Sequence, residues 1–250
     1  MAFKGLIFDV GNTLLYFDGN WPEVAQRADW SMVQSLIAAD INLDPNRFAR
    51  EFRRRLHAYY TEREHEFIEL TTAYILSSLL AEFGHPTVPD EVVAQAMERL
   101  YFESQAYWIP EEDARPTLVS LSDRGYRLGV ISNAGDDADV QNLVEKAGVR
   151  PHLDFVLSSA ACGIRKPDPK IFQLALEQWG FLPQEVAMVG DTLGADVLGG
   201  QNAGLFTIWI TRRAVTPGNH AHRDTIHPDA TIDTLAELPG LLEQLSQIGD

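Results

Sequence analysis

Five short apolar runs punctuate the chain: Leu6 to Val10, Leu128 to Ser132, Phe155 to Leu157, Val186 to Val189 and Phe206 to Ile210. Each is bounded by turn or helix-start residues, the pattern of strands buried on both faces. Between and after the later runs the apolar positions recur at helical spacing, roughly over 116 to 124, 137 to 147, 169 to 179, 195 to 203 and 234 to 247. Strands alternating with helices predict an α/β fold with a Rossmann-like, doubly wound parallel sheet.

Residues 16 to 110 break that rhythm, with about four helical segments and no convincing strand. They are expected to form an inserted all-helical domain, leaving 1 to 15 and 111 to 250 as the α/β core. Asp44 and Pro45 make a sound helix start, an N-cap followed by proline at the first helical position. Phe48, Phe52, Leu56 and Tyr60 then follow at four-residue spacing. The Arg53, Arg54, Arg55 run on this helix reads as a solvated face. Thr211 to Pro228, rich in His, Arg, Gly and Pro, has no clear period and reads as a surface loop. Its His220, His222 and His227 share no helix face and have no cysteine nearby, so a polar loop is favoured over a metal site.

Length and charge narrow the partners. At 250 residues and 45% hydrophobic content, the chain suffices for one large domain or for a core with a smaller companion. Thirty-six acidic against 20 basic residues give a net charge of -16, a field that repels nucleic acid and anionic membranes. A small ligand is the expected partner. It can still be anionic, because a phosphate pocket depends on local amides, a lysine and a metal. Cys162 is the sole cysteine, so neither an intrachain disulfide nor a cysteine metal cluster can form, which fits a reducing compartment. The apolar stretch in Met1 to Val10 is too short for a signal peptide or a membrane span, and no other run reaches spanning length; a cytoplasmic protein is expected.

In an open parallel sheet, ligands gather at the carboxyl ends of the strands. The first run ends in Asp9, Val10, Gly11, Asn12, Thr13; the second in Ser132 and Asn133; the fourth in Gly190 and Asp191, with Asp196 five residues on. Lys166 stands in Arg-Lys-Pro-Asp-Pro, just before a helix whose N-cap would be Asp168. An Asp after a strand is by itself usually a cap or a turn residue. The four pieces in order, with carboxylates at two strand ends and one lysine, make a much more specific signal.

That set resembles the haloacid dehalogenase-like hydrolase superfamily, whose motifs are an Asp-x-Asp-x-Thr loop, a Ser or Thr after the second strand, a Lys, and a closing Gly-Asp-x-x-x-x-Asp. Asp9, Thr13, Ser132, Lys166, Asp191 and Asp196 fall on the matching positions. The resemblance covers the whole chain, with 16 to 110 corresponding to the helical cap that one branch inserts after the first motif. It implies a Mg²⁺-dependent hydrolase of small phosphorylated metabolites that passes through an aspartyl-phosphate on Asp9. Asp9, the Gly11 carbonyl and Asp191 would hold the metal, with Asp196 steadying its waters. Lys166 would balance charge, while Asn12, Thr13, Ser132 and Asn133 would surround the phosphate. The chemistry is coherent, since phosphoryl transfer asks mainly for positioning and charge neutralisation.

One position departs from the pattern. Phosphatases of this kind carry a second Asp two residues after the nucleophile, which protonates the leaving group and later activates water; here it is Gly11. The metal contact survives, because it uses a main-chain carbonyl. The proton shuttle does not, and such catalysis typically contributes about 10² to 10⁴ in rate. Asn12 cannot replace it, since an amide does not titrate. Three readings follow: a phosphatase using good leaving groups or an acid borrowed from the cap, Asp18, Asp136 or Asp137; a 2-haloacid dehalogenase-like hydrolase; or a non-catalytic ligand-binding or regulatory protein. Gly190 and Asp191 argue against dehalogenation, because dehalogenases lack that metal-binding pair. Residues 16 to 110 contain no lysine, which removes a Schiff base as used in phosphonate cleavage. Retention of all four charged positions argues against a bare scaffold.

Overall fold

A computed structural model describes residues 3–62 and 67–248. The chain opens with β1 (Gly5–Phe8) and β2 (Leu15–Phe17), then runs through four helices, α1 (Trp21–Ala38), α2 (Pro45–Glu62), α3 (Thr72–Glu82) and α4 (Asp90–Gln105). It returns through β3 (Trp108–Pro110) and alternates thereafter: α5 (Ala114–Asp123), β4 (Arg127–Ser132), α6 (Asp137–Lys146), β5 (Phe155–Ser158), α7 (Ser159–Cys162), α8 (Pro169–Trp179) and β6 (Val186–Gly190). The rest comprises α9 (Leu198–Asn202), β7 (Phe206–Ile210), α10 (Pro217–His222), β8 (Ala230–Ile232) and α11 (Leu238–Ile248).

Six strands form one parallel sheet in the order β5-β4-β1-β6-β7-β8. Side chains alternate across it, as the two-residue period of a strand requires. Leu6, Phe8, Val130 and Val189 pack on one face with Leu118, Leu121, Val144 and Leu242. Ile7, Ile131 and Met188 pack on the other with Ile171, Phe172 and Leu176. Both faces are therefore covered, which explains why the strand sequences are apolar throughout rather than alternating. The order reverses direction at β1, whose neighbours are β4 and β6, so the β1, β4 and β6 ends open a common crevice.

The four helices between β2 and β3 have a core of their own. Met32, Val33 and Leu36 meet Phe48, Phe52, Leu76, Leu79, Ala96 and Met97. Phe48, Phe52 and Leu56 are buried as their spacing predicts, whereas Tyr60, at the end of the same row, is exposed. The arginine run is not a uniformly solvated face. Arg53 forms a bidentate pair with buried Asp29 (2.7 and 2.5 Å), and Arg54 and Arg55 pair with Glu51.

Three further departures come from short elements. Leu15–Phe17 and Trp108–Pro110 pair antiparallel and tie the entry of the helical insert to its exit, although no strand is legible in 16 to 110. Ala230–Ile232 adds a sixth strand. Three residues cannot display a period, so each is set by its partner strand rather than by its own sequence. Residues 211 to 228 contain helix α10, whose start has a visible signal in Thr216 and Pro217: the Thr216 hydroxyl accepts from the Asn219 N–H at 3.2 Å. Among the described residues, no helix is long and apolar enough to cross a membrane.

Candidate active site

Strand β1 stops at Phe8, and the next seven residues fold back tightly. The Val10 carbonyl accepts from the N–H groups of Leu14 and Leu15 at 2.9 and 3.1 Å, and Asn12 takes a left-handed conformation (φ 56°). The Asp9 N–H continues the β1 ladder to the Val189 carbonyl at 3.0 Å, so Asp9 is fixed at the carboxyl edge of the sheet. The Asn12 N–H donates to the Leu15 carbonyl at 2.6 Å and is engaged within the loop, while its side-chain amide approaches Asp191 at 3.4 Å.

Lys166 reaches the same point from the loop before α8. Its Nζ donates to Asp9 Oδ1 (2.6 Å), Asp196 Oδ1 (2.6 Å) and the Ile131 carbonyl (2.8 Å), which uses all three ammonium hydrogens. Asn133 fixes the Lys166 backbone from both sides: its Nδ2 donates to the Lys166 carbonyl at 2.9 Å, and its Oδ1 accepts from the Lys166 N–H at 2.8 Å. Ser132 lies buried at the end of β4, beside this clamp. Thr13 is fully buried, and its hydroxyl has no hydrogen-bond partner among the described residues.

Asp191 follows β6, and Asp196 lies within a π-helical turn, Leu193–Val197. That wide turn brings Asp196 back over the strand end, where its Oδ2 accepts from the Thr192 N–H at 2.9 Å. Only glycine fits at 190, since a Cβ there would stand 2.3 Å from the Asp196 carboxyl carbon. Oxygens of Asp9, Asp191 and Asp196 all lie within 4.8 Å of one another.

The electrostatics follow from crowding. Burial raises the Asp9 carboxyl to about 6 against the opposing pull of the Lys166 ammonium, and Asp196 adds to the rise. Burial, then the Asp9 and Asp196 charges, push Asp191 well above the usual carboxylate range. Burial pulls Lys166 down, but Asp196 and Asp9 outweigh it and hold the ammonium above its ordinary value. Half-buried Asp9 and buried Asp191 and Asp196 face one cation among the described residues, so a fully ionised cluster carries two uncompensated negative charges.

The structure places the sequence candidates Asp9, Lys166, Asp191 and Asp196 side by side, with Asn12 and Asn133 touching them. Sequence reading misses Asn219 of α10 and Trp209 of β7, which hold the Asp191 backbone: Asn219 Nδ2 and Trp209 Nε1 each donate to the Asp191 carbonyl at 2.8 Å. Asn219 Oδ1 also accepts from the Leu193 N–H at 2.7 Å. The Thr216-Pro217 helix start was the available clue. Of the proposed substitute acids, Asp18 is exposed, Asp136 caps α6, and Asp137 accepts from Ser158 at 2.7 Å; none is hydrogen-bonded to the cluster.

A second network went unread because its two halves are 96 residues apart. Glu69, from the segment between α2 and α3, accepts from Arg165 Nη1 (2.6 Å), Ser159 Oγ (2.7 Å) and the Tyr59 hydroxyl (2.7 Å). Backbone bonds flank it: Arg165 N–H to Phe67 carbonyl, Glu69 N–H to Gly163 carbonyl and Thr72 N–H to Gly135 carbonyl, at 2.9, 3.0 and 2.8 Å. The helical insert is thus strapped to both loops that carry Asn133 and Lys166.

A doubly wound parallel α/β core with this carboxylate and lysine cluster at the strand ends defines the class. The sequence profile of the haloacid dehalogenase-like hydrolases matches residues 3–204, and the chain belongs to that family. It is 28% identical to a glyceraldehyde 3-phosphate phosphatase of Methanopyrus kandleri, over 98% of this chain and 99% of that one. It is 30% identical to haloacid dehalogenase-like hydrolase domain-containing protein 3 of Mus musculus, over 98% and 96% of the two chains. Among solved structures, the 2-haloacid dehalogenase of Pseudomonas syringae superposes with a TM-score of 0.69 at 24% identity, covering 97% of this chain and 99% of that one.

Proposed function

We propose that this hydrolase is a Mg²⁺-dependent phosphatase of small phosphorylated metabolites, with Asp9 as nucleophile and residues 16 to 110 acting as a cap. The observation that carries the reading is the cluster of Asp9, Asp191 and Asp196, which among the described residues is paired with Lys166 alone. Its all-oxygen donors and its charge deficit of two suit a divalent hard cation. The phosphatase name of the Methanopyrus kandleri relative supports the same substrate class.

Asp9, the Gly11 carbonyl and Asp191 would hold Mg²⁺, which when bound neutralises charge between carboxylate and phosphate. Lys166 holds Asp9 Oδ1 and so orients the carboxylate for attack on phosphorus. Ser132, Thr13 and the backbone N–H groups of Gly11 and Asn133 would receive the phosphoryl oxygens. Asp9 displaces the leaving group and becomes an aspartyl-phosphate; water then attacks phosphorus and restores the carboxylate. With glycine at 11, departure and water activation proceed without the usual carboxylic acid. Asp196, by holding Lys166, keeps the ammonium in place throughout.

A screen of phosphorylated metabolites, acetyl phosphate and 2-haloacids, with and without Mg²⁺, tests the reading. Phosphate release that requires the metal supports it. Halide release without metal points to a dehalogenase, and no turnover of any compound points to a binding protein.

A further inference from the structure

Resting on the phosphatase reading, we infer that the substrates are aryl phosphates, whose ring packs against an aromatic wall beginning at Trp108 beside Gly11. Were Gly11 to carry a Cβ, its nearest neighbours would be Trp108 Cη2 and Cζ3, at 3.5 and 3.7 Å. The indole therefore walls the space from which a second carboxylate would have served the leaving group.

The wall is continuous. Trp108 meets Phe17 edge-on with ring centroids 5.6 Å apart, and Phe17 meets Trp21 edge-on at 5.0 Å. Trp21 and Trp30, 52% and 45% exposed, line a cleft of 1320 Å³ between α1, α2 and α4. Tyr60 and Tyr101 line the same cleft, and their hydroxyls stand 3.6 and 3.3 Å from where a Gly135 Cβ would be. The cleft thus meets the loop after Ser132 through Tyr60 and Tyr101, and is linked to the Gly11 loop through the ring contacts Trp21–Phe17–Trp108. Aromatic faces and edges of this kind select flat rings.

The missing acid selects the same substrates. Without a proton donor at 11, the leaving oxygen departs as an anion carrying its electron pair. A phenolic oxygen, with a pKa of about 10, tolerates this far better than an alkoxide, whose conjugate acid is nearly as weak as water. In the first step the Asp9 oxygen bonds to phosphorus and the aryl oxygen–phosphorus bond breaks, releasing aryloxide. In the second, water attacks phosphorus, Asp9 leaves as carboxylate, and the proton gained by phosphate passes to the aryloxide. The products are a phenol and inorganic phosphate.

The test compares phenyl, benzyl and butyl phosphate, with acetyl phosphate as a ring-free substrate having a good leaving group, all with Mg²⁺. Benzyl phosphate keeps the ring but must expel an alkoxide. The expected result is a kcat for phenyl phosphate at least about 100-fold above benzyl, and a KM for benzyl about tenfold below butyl. Trp108→Ala is expected to raise the phenyl phosphate KM about tenfold, with Trp108→Phe restoring most of it. Apart from turnover, phenylphosphonate should quench tryptophan fluorescence of Asp9→Asn and bind about tenfold more weakly when Trp108→Ala is added. Hydrolysis of acetyl phosphate with equal kcat/KM for phenyl and butyl phosphate overturns the inference and leaves the phosphatase reading intact. No phosphate release even from acetyl phosphate overturns both.

Discussion

The buried pair Glu69–Arg165 offers a quantitative test of how the helical insert is fixed to the loops that carry Asn133 and Lys166. The Glu69 side chain is fully buried and that of Arg165 is 11% exposed. Replacing Arg165 by Met removes the guanidinium but leaves the carboxylate in place, still accepting from Ser159 and Tyr59. These two donors are neutral and do not replace the charge of the guanidinium. Breaking such a pair from one side costs about 3–5 kcal/mol. For a chain of 250 residues, unfolding entropy of about 2.1 cal/mol/K per residue sums to roughly 0.5 kcal/mol/K, so Tm should fall by about 6–10 °C. Urea titration and thermal scans followed by circular dichroism read both quantities. Adding Glu69→Gln to Arg165→Met should recover much of the loss, because the buried carboxylate is then removed together with the guanidinium that faced it. An Arg165→Met variant within about 0.5 kcal/mol of the parent, or a double variant whose loss equals the sum of the singles, would refute the strap.

Under the proposed reading, metal and pH should act together on the Asp9 cluster. The Asp9 carboxyl lies at about 6 in the folded chain against 3.8 for the free group, so between these values the folded form binds more proton than the unfolded. In metal-free protein this contribution to stability is complete below pH 3.8 and is lost as pH rises through 6, about 3 kcal/mol from Asp9 alone. Mg²⁺ should reverse the trend at pH 7, and Tm measured across pH with Mg²⁺ or EDTA checks both signs. Gly11→Asp should raise turnover of alkyl phosphates by about tenfold or more, short of the usual 10² to 10⁴ because its carboxylate must pass Trp108; no gain in a folded variant means the proton is handled elsewhere. Asn219→Ala should cost about 1–3 kcal/mol by stranding the Leu193 N–H, and should weaken Mg²⁺ binding measured by calorimetry.

What the sequence makes legible follows the range of the forces involved. Ile7, Val130 and Met188 sit in apolar runs because both sheet faces are buried, so the main strands can be read locally. Asp9, Lys166, Asp191 and Asp196 can be read because each is placed by its own strand or helix end, and strand ends converge in this topology. The three-residue strands Leu15–Phe17 and Ala230–Ile232 cannot, since pairing with a distant segment defines them. The same holds for Glu69 with Arg165 and for Asn219 with Asp191, where burial and hydrogen bonding are purely tertiary. Trp108 beside Gly11 is the most consequential of these. An indole from the far end of the insert occupies the neighbourhood of a residue noticed only for what it lacks.

The nucleophile is tested most directly by rapid acid quench of the enzyme during turnover of a phosphate-labelled aryl phosphate, followed by peptide mapping. The account predicts hydroxylamine-labile label on the peptide containing Asp9, and no label and no turnover in Asp9→Asn. Label on another residue, or steady turnover by Asp9→Asn, would contradict it.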